Sequence, residues 1–359
     1  MAMDCHLLIP DLLLPDSTGA APYQKLLLPA LEMLLARGAS QRHAGISLER
    51  WLAAAFRVAP QYDLPLAAAS LRGEGLDPAD ACWLQADPVH LKVQGDHLIL
   101  ADSKRFEITE SEAAEMLAAL NTHFLQDRIE FVAPVPQRWY ARVPDEPRIR
   151  TTPTAEVAGR NIERFLPQGD DAARWRRLSN EVQMLLHSHP GNDARDARGE
   201  LTINSVWFWG AGRMSRLAGD VRYQAVHSGH PLAIGLASAA GLEIQAIPHS
   251  SAVLLEIYRG RTRDRPVLVV LEALRNALND VHAWRRALEE LEGRWFAPLL
   301  DALKRGALQT VTLHALGPEM SLASISTRYN HLKFWRTRHR LPDYLKSIGK
   351  MTESESVGT

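Results

Sequence analysis

NEVQMLLHSHPGNDARDARGELTINSVWFWGAG, residues 180–212, sets a helical apolar repeat, a charged segment and an unbroken apolar run end to end. Val182, Leu185 and Leu186 extend a face that begins at Trp175 and Leu178, so a helix is expected to reach the histidines. Pro190 biases His189 toward extended backbone and predicts a break there. On a helix His187 and His189 would point about 200° apart, too far round to share one metal ion. On an extended segment they would share a face. Helical geometry therefore favours a helix C-terminus with histidines at the negative end of the dipole. VWFW reads as a strand that is apolar on both faces, its tryptophans belonging to a core.

The charged segment admits two readings. Arg195 and Arg198 lie within one helical turn or one loop, with Asn192 close by. Guanidinium forks suit phosphate or carboxylate oxygens, to which they donate two parallel hydrogen bonds. Asp193 and Asp196 could equally neutralise them as surface ion pairs. Gly210 and Gly212 resemble the opening of a nucleotide loop, but the third glycine of a dinucleotide fingerprint is missing.

On the N-terminal side, CHLLIPDLLL (5–14) reads as a buried strand stopped near Pro10 and Asp11. A helical stripe follows at Leu27, Leu31, Leu34 and Leu35, closed by Gly38, and Ser47 opens a second helix. From about 72 to 155 the pattern changes: a hairpin around Gly95-Asp96, a helix, then RIEFVAPV and RWYARV as strands. This predicts a small α+β unit inserted between core segments 1–71 and 156–340. On the C-terminal side strands and helices alternate through RPVLVVLEAL and LQTVTLHAL, which predicts a doubly wound, mostly parallel α/β sheet. The Trp and Leu faces over 284–303 are candidates for a protein partner or a homo-oligomer contact, and 346–359 reads as a flexible tail.

The chain has 359 residues, 46% of them hydrophobic and 23% charged, with a formal net charge of −1. That balance suits a packed core and gives no basic excess for nucleic acid or anionic lipid. Its two cysteines, Cys5 and Cys82, exclude a disulfide framework and a cysteine-rich zinc site. With no apolar run near the roughly 20 residues that span a bilayer, and no signal-peptide pattern at the start, a cytoplasmic location is expected.

His189, Pro190, Asn192, Arg195, Gly199, Asn204, Trp207, Trp209, Gly210 and Gly212 together resemble a segment of the archaeal-type cofactor-independent phosphoglycerate mutases, in the alkaline phosphatase superfamily. The similarity extends to LLLPALEMLLARGAS, WLQADPVHL, FVAPVPQRWYARV (with Arg138 in the place of a family arginine) and RTTPTAEVAGR. The chain also resembles a bacterial subgroup labelled RpfE-type regulatory proteins. The resemblance implies an alkaline phosphatase-like core and two divalent ions, Mn or Zn, held by carboxylates and histidines at strand ends. A serine at a helix N-terminus would take and return the phosphoryl group, with the metals activating it and neutralising developing charge.

The ligand positions depart from that pattern. Asp11 and Asp16 follow the first strand without the expected glycine, and Gly45-Ile46-Ser47-Leu48 stands where Pro-Gly-Ser-Asp is expected, so Ser47 is either the nucleophile or a plain helix cap. Leu274 to Leu278 replace a ligand pair, although Asp280 and His282 follow closely; His314 keeps one member of another pair, and Ala155-Glu156 replace a His-Asp. A site with so few ligands holds ions poorly. The expectation is a phosphoglycerate mutase-like protein with a degenerate metal site. It would be regulatory or ligand-binding, with no cofactor, and with a small phosphorylated ligand near Asn192, Arg195, Arg198 and Arg138. The alternative is an active metal-dependent mutase or phosphatase with relocated ligands, in which Ser47, Asp11 and His314 are the catalytic and metal-binding candidates.

Overall fold

The structure is a computed structural model and describes residues 3–15, 18–19, 21–214, 217–260, 265–332 and 336–342. The chain forms two compact units. The first draws on 1–48, 222–230 and 242–359, and the second on 49–221 and 231–241.

Seven strands build the first unit: β1 (Met3–Ile9), β2 (Ala39–Ala44), β8 (Ala225–His227), β9 (Glu243–Gln245), β10 (Val267–Val270), β11 (Leu308–Ala315) and β12 (Met320–Thr327), in the order β2-β12-β11-β1-β10-β8-β9. Pairings from β11 through β9 are parallel, while β12 runs antiparallel to both β11 and β2. The sheet is thus mostly parallel, as expected of α/β patterning. Alternate residues Cys5, Leu7 and Ile9 of β1 join Val267, Val269, Val311 and Leu313 in one apolar cluster. Helices Pro29–Arg37, Ser251–Ile257, Val281–Leu291 and Ala297–Arg305 all supply residues to that cluster. These helices cover one face of the sheet, and the alternate residues on the other face, Leu8, Val226, Leu268 and Val270, are equally buried.

The same packing disposes of the partner face over 284–303. Trp284, Leu288, Trp295, Leu299 and Leu303 are buried in this core. Between two of these helices lies a π-helical turn, Glu292–Phe296, and its buried Glu292 carboxylate accepts hydrogen bonds from the backbone N–H groups of Ala30 (2.6 Å) and Leu31 (3.0 Å). A side chain more than 260 positions away thus caps a helix that starts with proline and has no side-chain cap of its own.

The second unit holds an all-antiparallel sheet of β3 (Cys82–Gln94), β4 (His97–Asp102), β5 (Glu130–Val135), β6 (Arg138–Val143) and β7 (Ser205–Gly212), in which the 13-residue β3 pairs with β4, β6 and β7. The hairpin turns at Gly95, whose φ of 64° suits glycine. One face, with Leu84, Phe131, Val206 and Phe208, packs on helices Glu110–His123 and Ala172–His187; the other, with Trp83 and Tyr140, packs on Leu66–Gly73.

The expected boundaries at 71/72 and 155/156 both fall inside this unit. VWFW is the cause: residues 205–212 pair with β3, so the segment up to 212 belongs to the second sheet and not to the parallel one. The predicted tail, 346–359, lies outside the described residues.

Helix Leu66–Gly73 crosses Pro231–Ala239 at backbone distance. A Cβ on Gly235 would lie 1.7 Å from the Ala69 carbonyl oxygen, and one on Gly73 would lie 1.8 Å from that of Pro231. The small-residue run LAIGLASAA exists for this crossing.

Candidate functional site

In the first unit the candidates cluster at the carboxyl ends of adjacent parallel strands, where open α/β sheets place their ligands. Ile9 pairs with Ala315, so Asp11 follows the end of β1 while His314 ends β11 beside it. The backbone of Gly45 and Ile46 donates to the carbonyl oxygens of Glu319 and Gly317, holding the loop that leads to Ser47 near the end of β11. Ser47 itself directly precedes helix Leu48–Ala55, the position that suits a cap.

Asp11 and His314 meet other protein groups. Arg275, 7% exposed, brings its Nε to 3.8 Å from the Asp11 carboxylate. Asp11 adopts a left-handed φ of 59°, and its carbonyl oxygen accepts a hydrogen bond from Trp284 Nε1 at 2.9 Å. Arg275 sits in the short helix after β10, in the stretch where the resemblance expects acidic and histidine ligands. His314 Nε2 lies 3.1 Å from His6 Nδ1, and the Tyr223 hydroxyl is 3.5 Å from that same nitrogen. Asp280 caps helix Val281–Leu291 by accepting from the His282 backbone N–H at 2.8 Å, so this pair serves the helix start. Among the described residues no group of three or more His, Cys, Asp or Glu side chains is arranged to hold a metal ion. Among the described residues, which leave out Asp16, the donor set therefore does not fit two divalent ions: the Asp11 carboxylate at the β1 end faces a guanidinium, whose charge repels a cation.

Burial, then the neighbouring His314 and Arg222, pushes His6 down to about 3. Burial, then Arg222 and His43, pushes His314 down to about 4. Both rings are neutral at physiological pH, and one N–H donates to the other's lone pair. Because the folded values lie below the ordinary 6.5, the unfolded chain binds protons that the fold excludes. This contribution to stability is complete above pH 6.5 and is lost as pH falls from there toward 4 and 3. Between pH 7 and 5 each ring is expected to cost on the order of 2 kcal/mol. Imidazole resonances of His6 and His314 that titrate near the ordinary value, followed by NMR, would end this reading.

In the second unit the candidates are spoken for. The break at Pro190 is present, and His189 is extended (φ −77°, ψ 131°) with its Nδ1 accepting from the Gly191 N–H at 3.1 Å, capping helix Pro190–Ala197. Asn192 donates to the Leu186 (2.7 Å) and Ile203 (2.9 Å) carbonyls and accepts from the Ile203 N–H (2.7 Å). Arg195, 1% exposed, donates to the Leu201 carbonyl at 2.7 Å and pairs with Glu112 at 3.0 Å. Arg198 pairs with Glu200 at 2.8 Å and with Glu112 at 2.7 Å. The carboxylates that meet these arginines are Glu112 and Glu200, not Asp193 and Asp196. Arg138 forms a two-pronged pair with Glu74.

Sequence reasoning missed Arg275, His6, Tyr223 and Asp87. Asp87 on β3 accepts from the Trp209 indole N–H at 2.7 Å and from the Thr154 hydroxyl, and burial pushes it up to about 6. A lone acid inside a buried strand was its only signal. For the His6–His314 pair there was none, since only the register of β1 against β11 brings the rings together.

The sequence profile of the 2,3-bisphosphoglycerate-independent phosphoglycerate mutases matches residues 65–192. A probable mutase of that kind from Geobacter sulfurreducens is 29% identical over 216 residues, 58% of this chain and 52% of that one. A mutase from Methanosarcina mazei is 25% identical over 238 residues, 61% and 60% of the two chains. The chain thus spans between half and three fifths of the length of these two relatives. Two solved structures share the fold. A Pyrococcus horikoshii protein superposes with a TM-score of 0.56 at 12% identity, over 91% of this chain and 87% of that one. The cofactor-independent phosphoglycerate mutase of Thermoplasma acidophilum does so with 0.50 at 16% identity, over 96% and 95%. Among the described residues no helix is long and apolar enough to cross a membrane. In sequence over part of its length, and in fold over most of it, the chain is similar to cofactor-independent phosphoglycerate mutases.

Proposed function

We propose that this chain is a phosphoglycerate mutase-like protein that has lost two-metal phosphoryl transfer and acts as a regulatory or ligand-binding protein, as the resemblance to RpfE-type regulatory proteins suggests. The observation that carries this is the Arg275 guanidinium 3.8 Å from the Asp11 carboxylate. An internal cation stands beside the carboxylate that the resemblance assigns to a divalent ion, and His314 Nε2 lies 3.1 Å from His6 Nδ1. Without the ions neither the serine nucleophile nor the charge on a transferring phosphoryl group is supported. A small phosphorylated ligand remains the natural partner for a protein of this descent, in a cytoplasmic setting.

Metal analysis of the purified full chain, joined to an assay on 3-phosphoglycerate, tests this. The expected result is no tightly bound Mn or Zn and no interconversion of 3- and 2-phosphoglycerate. Two divalent ions per chain together with mutase or phosphatase activity would establish the alternative, an active enzyme with relocated ligands.

A further inference from the structure

In the stretch Thr-Thr-Pro-Thr, residues 151–154, the outer threonines are buried, and each gives its hydroxyl to a carboxylate. Thr151 donates its hydroxyl and its backbone N–H (3.1 Å) to Asp63. Thr154, which opens the one-turn helix Thr154–Val157, donates its hydroxyl to Asp87. Strand β7 adds two more bonds: Trp207 Nε1 donates to the Thr152 carbonyl at 2.8 Å, and the Gly210 N–H donates to Thr151 Oγ1 at 2.9 Å. Asp87 on β3 also accepts from Trp209 Nε1 at 2.7 Å, so this one side chain joins β3, β7 and the threonine segment.

The charges around that junction oppose its ionisation. Asp102 faces it from β4, and the buried Glu49 from helix Leu48–Ala55. From β6 come Tyr140, whose hydroxyl burial keeps neutral, and Arg138, whose guanidinium is already engaged by both prongs of Glu74 at the end of helix Leu66–Gly73. Glu156, two positions past Thr154, pairs with Arg50 at 2.7 Å. Burial is the largest effect and favours the neutral acid, so the Asp87 carboxyl is pushed up to about 6 from an ordinary 3.8 although two donors reach it. Burial pushes Asp63 up as well, against the bonds from Thr151.

The geometry points to Asp87 as a proton-operated latch on residues 151–157. With its carboxyl protonated the segment stays locked onto β3 and β7. With the carboxyl ionised the segment is driven to open, because opening lets water reach the charge. The closed state keeps a proton that the open state has released, so the opening equilibrium rises with pH from the ordinary carboxyl value through about 6 and is level beyond it. The latch concerns the second unit alone and stands whatever ligand or metal chemistry the protein has, so its failure and the failure of the proposed function are separate results.

Native-state hydrogen exchange of the full chain at pH values from 5 to 7.5, each amide normalised to its intrinsic rate, provides the test. The N–H groups of Glu156 and Ala158, bonded to the carbonyls of Pro153 and Thr154, report the opening. Their protection is expected to fall about tenfold across that range in the wild type. Asp87→Asn, neutral throughout and still able to accept from Trp209 and Thr154, should remove most of the fall. Thr154→Val takes one donor from the carboxylate and should move the midpoint to higher pH, a displacement that a carboxylate serving packing alone would not give. Should Asp87→Asn not fold, the midpoint in Thr154→Val decides. Constant protection across the range in the wild type, a fall that persists in Asp87→Asn, or a midpoint that stays or drops in Thr154→Val would overturn the assignment.

Discussion

Gly235→Ala is expected to lower the stability of the second unit by roughly 3 kcal/mol or more, and its melting temperature by on the order of 10 °C. The added methyl carbon would sit 1.7 Å from the Ala69 carbonyl oxygen, 2.7 Å from its carbon and 3.1 Å from the Gly73 nitrogen. None of these atoms is the tip of a flexible side chain, so the strain can be relieved only by separating two helices. Separation in turn opens gaps around Ala67, Ala68 and Leu71, which pack against Trp83 and Tyr140. Gly293→Ala supplies the control. That position has open space around an added Cβ, and the exchange should be neutral or stabilising, by about 0.5–1 kcal/mol. Calorimetric melting of both variants decides the matter, and a Gly235→Ala protein that melts with the wild type would show that the crossing is looser than described.

Asn192→Ala carries the second large effect. Its side-chain amide is 3% exposed and satisfies three backbone groups at once, the carbonyls of Leu186 and Ile203 and the N–H of Ile203. Removing it strands three buried polar groups, a loss of about 2–4 kcal/mol in urea denaturation. Asn192→Asp should be no better, since it sets a carboxylate against two carbonyl oxygens. An anion-binding role for Asn192 predicts the reverse: intact stability with lost affinity for phosphate. Unchanged denaturation midpoints in both variants would restore that role.

How much could be read beforehand depends on what each residue answers to. The break at Pro190, the hairpin at Gly95 and the helix opening after Ser47 follow from local backbone chemistry, and each is where periodicity and turn residues put it. The mostly parallel sheet likewise follows from alternating apolar patterns. The allegiance of VWFW did not, because a strand buried on both faces suits either sheet, and only its pairing with β3 decides. The roles of the arginines were hidden for a related reason. Asp193 and Asp196 are close in sequence, but Glu112, some 80 positions earlier, lies on the helix that packs beside them. Arg275 was visible as a lost ligand position, yet nothing in one dimension shows that its head group returns to Asp11.

That return alters what the sheet edge depends on. A divalent ion can be stripped by a chelator or exchanged for a competitor, whereas the Arg275 charge is covalently part of the chain and does not dissociate at any physiological pH. On the proposed reading the carboxyl ends of β1 and β10 are indifferent to metal supply: melting curves recorded with EDTA and with added Mn should superimpose, and the protein should keep its shape in cells starved of manganese or zinc.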